Sequence, residues 1–281
     1  MKVYAKSALN EEYMKRKLSL GADALEVQLI KEKLEPVPGM PVKVVHSILH
    51  PTCVDLDRCT EDPWTTLQME EAYRVAEFYG AAMLVHCSTN FESIPKRTLI
   101  DILHVLELHK DTELLVENVI PFREFEPQVS MRVGNFNPDA TPEMVRQLRK
   151  LTGRDNIHSV LDTCHAEMTI KFIESALAPG RRPSVTLEDY FKAHEDTIGL
   201  YHFSQIVGDG LGKSHAQPFW DDECDNQTMR WYLELYKKYG HEAPITLEVA
   251  ETDYTLSNGF ESSYKILRRQ ERLVYKDGSV L

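Results

Sequence analysis

Six- or seven-residue runs rich in apolar and β-branched residues recur eight times along the chain, and a longer stretch of helical periodicity follows most of them. The runs are KVYAKS from Lys2, ALEVQL from Ala24, VKVVHSI from Val42, AAMLVHC from Ala81, ELLVENV from Glu113, HSVLDTC from His158, LYHFSQ from Leu200 and ITLEVAE from Ile245. Helices are expected over 10–20, 66–79, 95–110, 142–151, 166–177, 187–195, 226–239 and 261–275. Gly21, Gly80, Gly153 and Gly240 follow four of these stretches, where a left-handed terminating residue is favoured. Alternating strands and helices build a parallel sheet. Eight such units in 281 residues predict a single-domain (β/α)8 TIM barrel spanning 1–281. An open doubly wound sheet ranks second, because KVYAKSALN carries neither a GxGxxG nor a Walker sequence. PVPGMP and APGRRP read as loops within the one domain.

The C-terminal ends of the runs carry the chemistry. Six successive runs end in His46, His86, Glu117, Asp162 with His165, His202 and Glu248. In a barrel all strands run the same way, so these ends meet at one mouth, where active sites of this architecture lie. Charged side chains in apolar strands are costly unless paired or bound to a cation. A divalent metal meets that need, and imidazole with carboxylate suits zinc or manganese. A histidine at one strand end is more often a satisfied core residue than a ligand, but recurrence at six ends weakens that reading. His50, in the loop HPTC, is a weaker substitute for His46; His104, His109, His158, His194 and His241 are expected to be structural.

Charge and cysteine content bound the partners. With 32 Lys+Arg against 44 Asp+Glu the net charge is −12, which argues against a protein held to polyanions by bulk charge. No window is apolar enough to cross a membrane and the N-terminus lacks a signal-peptide core, so a cytoplasmic location is expected. Cys53, Cys59, Cys87, Cys164 and Cys224 include no CxxC pair, and free thiols are expected.

At LVEN, LDTCHA, YHFS and TLEV, in this order, the chain resembles the xylose-isomerase-like TIM barrels, the superfamily of sugar isomerases, sugar epimerases and the endonuclease IV type of AP endonuclease family 2. VLDTCHA is the most specific piece. The resemblance implies a metal quartet of Glu117, Asp162, His202 and Glu248, and makes His46, His86, His165 and His215 similar to the additional zinc ligands of endonuclease IV. The chain departs from that enzyme at Lys213-Ser214-His215, where an ammonium replaces a carboxylate, although Asp209 could bend back. It also lacks the glycine-rich opening and the arginine-rich DNA loop.

Two activities follow from the resemblance and the residues. The first is a metal-dependent sugar or sugar-phosphate isomerase or epimerase. In it Glu117 and Glu248 pass a proton between carbons of an enediolate, while Lys213 and His165 stabilise the oxyanion. Arg181 and Arg182 are weak candidates for a substrate phosphate. The alternative is a multi-zinc phosphodiesterase acting on abasic DNA, which the extra histidines favour and the acidic composition disfavours. A non-enzymatic sugar or metal sensor is a distant third reading. The expected partner is a small-molecule sugar or sugar phosphate, with DNA only under the alternative and no membrane. No heptad or apolar stripe argues for or against a homo-oligomer.

Overall fold

The computed structural model describes residues 1–30, 34–49, 55–56, 63–87, 89–119, 137–176, 180, 183–206, 216–240 and 242–276. Eight strands, β1 (Val3–Ala8), β2 (Ala24–Ile30), β3 (Val42–Leu49), β4 (Ala82–Cys87), β5 (Leu114–Asn118), β6 (Ile157–Asp162), β7 (Ile198–Phe203) and β8 (Ile245–Leu247), pair in parallel. The pairing of β1 with β8, Val3 opposite Ile245, closes them into a barrel in sequence order. The helices are α1 (Glu11–Ser19), α2 (Pro63–Tyr79), α3 (Lys96–Leu108), α4 (Ala140–Thr152), α5 (Thr163–Ala176), α6 (Leu187–His194), α7 (Glu223–Tyr239) and α8 (Asn258–Lys276). All eight expected strands and all eight expected helices are present, and the fold is the expected TIM barrel. Both α5 and α6 lie between β6 and β7, so the strand–helix alternation is not strict.

Local chemistry sets the helix ends. Asn10 accepts the amide of Tyr13 at the start of α1, with Glu11 and Glu12 in its first turn and Arg16 and Lys17 in its last, as the helix dipole favours. Thr186 and Asp189 form a reciprocal capping box on α6. Gly153 ends α4 at φ 69°, the left-handed conformation expected of it. Gly240 differs: its φ is −81°, and it is glycine because a Cβ there would stand 2.5 Å from the Tyr236 carbonyl oxygen.

Two apolar regions divide the core. Outside the barrel, strand residues such as Val27, Val45, Val85 and Val116 pack against the helices. Along α8, Phe260, Ser263, Ile266, Leu267, Gln270 and Val274 recur at helical spacing on its buried face. Inside, a separate cluster of Tyr4, Ala24, Val44, Ala82, Leu84, Leu115, Val160 and Leu200 fills the barrel. Side chains alternate along a strand, so the next inward-facing residue lies two positions further on. That step leads from the apolar cluster to Lys6, Glu26, His46, His86, Glu117, Asp162 and His202 on seven strands.

Candidate metal centre

The upper layer of the barrel interior is a ring of ionisable side chains with almost no access to water. Glu26, Glu117, Asp162 and His202 are 0% exposed and His46 is 1% exposed. Lys6, Glu248 and His86 keep slight exposure, which places the opening of the site on their side.

Glu117, Asp162, His202 and Glu248 offer one donor atom each, all within 4.8 Å of one another. His202 Nδ1 stands 2.5 Å from Glu248 Oε2, 3.4 Å from Glu117 Oε1 and 3.8 Å from Asp162 Oδ2. A second group joins His46, His86 and the same Glu117. Its edges are 3.1 Å between the two Nε2 atoms, 3.6 Å from His46 Nε2 to Glu117 Oε2 and 3.4 Å from His86 Nε2 to that oxygen. Donors about 2.0–2.1 Å from a tetrahedral ion stand roughly 3.3 Å apart, so these edges suit a zinc-sized cation. Glu117 therefore turns Oε1 to one group and Oε2 to the other.

The hydrogen-bond inventory supports the fit. Both oxygens of Glu117, Oδ2 of Asp162, Nδ1 of His202 and Oε2 of Glu248 are buried yet make no hydrogen bond of acceptable geometry. Their near polar neighbours include one another, as in the ion pair of His202 Nδ1 with Glu248 Oε2, a crowding that a cation would also satisfy. The other atoms of these residues are held in place. The Asp162 amide donates to Asn118 Oδ1 at 2.7 Å, and the His165 amide donates to Asp162 Oδ1 at 2.7 Å.

Glu26, on β2, is the residue that the reading of strand ends passed over. Its Oε2 accepts from His202 Nε2 and from Thr246 Oγ1, each at 2.9 Å, and its Oε1 lies 3.2 Å from His46 Nδ1. One carboxylate thus backs an imidazole of each donor group. A neutral His202 that donates Nε2–H to Glu26 presents its Nδ1 lone pair to the quartet. Lys6, on β1, was also missed: Nζ reaches Glu248 Oε1 at 2.5 Å and His46 Nδ1 at 2.8 Å. Both lay within reach of the criterion that found Glu117, a charged residue in an apolar run whose neighbours two positions away face inward.

The electrostatics describe a mouth that demands positive charge. Burial alone would raise Glu26, but His202, His46 and Lys6 bring it to about 2. Glu117 and Glu248 are likewise held well below the usual carboxylate range, burial being outweighed by His202 and His86 for the former and by Lys6 and His202 for the latter. Burial disfavours a charged His202, yet Glu26, Glu117 and Glu248 raise it well above its ordinary value. His46 goes the other way: burial and the Lys6 ammonium push it to about 4, keeping the ring neutral as a ligand must be.

The remaining candidate residues divide. His165 lies beside the quartet, but its Nδ1 meets the Asn118 carbonyl at 2.8 Å and it joins none of the three donor groups found among the described residues. Despite its burial, Asp162 and Glu117 raise it to about 9. Lys213, His215, Asp209, His50, Arg181 and Arg182 lie outside the described residues. Cys164 is buried, and burial followed by Asp162 pushes its thiol well above the ordinary value, which fits a small core residue. His109 stacks on Tyr73 with centroids 4.0 Å apart, a structural role as expected.

A closed eight-stranded barrel with this mouth has the fold of the xylose-isomerase-like TIM barrels. Solved structures agree along nearly the whole chain. A xylose isomerase domain-containing protein from Salmonella typhimurium matches with TM-score 0.60 and 15% identity over 98% of this chain and 97% of that one. Endonuclease IV from Thermus thermophilus matches with TM-score 0.62 and 16% identity over 96% and 98%. The 3-keto-D-glucoside 4-epimerase of E. coli matches with TM-score 0.57 and 13% identity over 96% and 99%. No family model and no curated protein sequence matches the chain. No helix among the described residues is long and apolar enough to cross a membrane.

Proposed function

We propose that this protein is a two-metal hydrolase of phosphoesters, in which the two donor groups that share Glu117 would each hold a divalent ion. The observation that carries the reading is the division of one buried carboxylate between two donor groups, Oε2 toward His46 and His86 and Oε1 toward His202. A pair of divalent ions held there would supply water of lowered pKa and neutralise charge on both the attacking and the leaving oxygen. The protein's own contribution is order and charge. Glu26 fixes His46 and His202, Asp162 is held by Asn118 and the His165 amide, and Lys6 adds an ammonium beside Glu248 at the open side. The net charge of −12 argues against long duplex DNA as the substrate and favours a smaller phosphoester. The likeness to endonuclease IV is compatible with this class of chemistry.

The isomerase or epimerase reading becomes second. It is supported by the likeness to a sugar epimerase and by donor atoms of Glu117 and Glu248 within 4.8 Å of one another. It requires both to take and return a proton, which needs reach and a pKa near the working pH. Glu117 is fully buried with both oxygens turned to donor groups, and Glu248 Oε1 is paired with Lys6. The test is a pair of assays on zinc-loaded and manganese-loaded protein. Cleavage of bis(4-nitrophenyl) phosphate without solvent-deuterium exchange into aldoses and ketoses is expected. Exchange at a sugar carbon without cleavage would reverse the order of the two readings.

A further inference from the structure

Beside the two groups that share Glu117, the mouth contains a third set of donors, and it holds a cation that belongs to the chain. Glu26, His46 and Glu248 offer one oxygen or nitrogen each within 4.8 Å of one another, the same relation that defines the other two groups. Lys6 Nζ stands among them, 2.5 Å from Glu248 Oε1, 2.8 Å from His46 Nδ1 and 3.7 Å from Glu26 Oε1.

We propose that the Lys6 ammonium is a tethered cation that fills this third donor group and keeps a metal ion out of it. Strand pairing delivers it there: Lys6 is in register with Glu26 on the neighbouring strand and sits one inward step above Tyr4, whose ring belongs to the apolar cluster. A lysine ammonium is a compact charge with three donors, suited to stand between two carboxylates such as Glu248 and Glu26. Unlike a bound ion it cannot dissociate. It also sets the charge of the mouth. Lys6 offsets part of the charge of the four carboxylates Glu26, Glu117, Asp162 and Glu248. A divalent ion beside Lys6 would be repelled by the ammonium at contact distance.

The inference rests on the metal reading proposed above, and counting ions separates the two. Wild type, Lys6→Met and Lys6→Arg are dialysed against zinc chloride, freed of excess metal, and their zinc per chain is measured by elemental analysis. Lys6→Met is expected to hold one zinc more than wild type and Lys6→Arg the same number. Glu26→Gln added to Lys6→Met is expected to remove the additional ion, which assigns it to this group. Should Lys6→Met not fold, Lys6→Gln, also uncharged, gives the same count. An unchanged count in the folded uncharged variant, or an additional ion in Lys6→Arg, overturns the proposal and leaves the metal reading standing. Wild type that retains no zinc overturns both.

Discussion

Two layers of the barrel interior, one inward step apart on the same strands, have opposite chemistry. Leu115 and Glu117 share β5, Val160 and Asp162 share β6, and Leu200 and His202 share β7. The lower member of each pair belongs to an apolar cluster and the upper to the ring of ionisable groups. Both layers are buried, so depth does not explain the difference. The lower layer seals the barrel from below and gains by excluding water. The upper layer crowds ionisable groups away from water, which costs stability unless opposite charges meet them. The floor thus carries stability, and the mouth gathers the donor groups.

The comparison can be broken at neighbouring positions. Glu117→Gln should give the largest effect, loss of ions from both groups and loss of activity to background, measured by elemental analysis and phosphodiester assay. Leu115→Ala, directly beneath it, should do the opposite: ion count retained, with a stability loss of about 2–5 kcal/mol in urea unfolding from the lost packing and the cavity. His86→Ala should remove one ion and most of the activity while the quartet keeps its own. If the isomerase reading holds, that variant should be nearly silent. Glu26→Gln is milder. A partner that orients ligands is typically worth about 10–100-fold in metal affinity, so zinc titration should show a loss in that range with the fold intact.

The smallest effect concerns the layer between the barrel wall and its helices. His194 is fully buried, with Nδ1 2.9 Å from Ser159 Oγ, and burial followed by Arg146 lowers it from 6.5 to about 3. The unfolded chain then takes up a proton below about 6.5 that the folded chain refuses until about 3, so stability falls as pH falls through that window. His194→Asn should lose less thermal midpoint than wild type between pH 7 and pH 5.

Much of this was legible in the sequence. The βα alternation is a periodic signal and gave all eight strands and helices in order. Ligand-type residues at strand ends located the quartet together with His46 and His86. Lys6 and Glu26 were missed although each is a charged residue in an apolar run, and they reach the mouth on the inward face of β1 and β2. The register between β2 and β3 is irregular beside Glu26, a feature of pairing between segments that neither segment shows alone. His165 meets the Asn118 carbonyl through Nδ1, and His215, its expected companion, lies outside the described residues. The sequence ranked the isomerase first on Lys213, the missing DNA loop and the acidic composition; in the fold both oxygens of Glu117 are turned to donor groups.

Zinc anomalous scattering from crystals of the zinc-loaded protein tests the account most directly. Two peaks are predicted in the mouth, roughly 3.5–4 Å apart, on either side of the Glu117 carboxylate. One should lie among His46, His86 and Glu117 and the other among Glu117, Asp162, His202 and Glu248. A mouth without anomalous density, or a single ion that leaves His46 and His86 unligated, would contradict it.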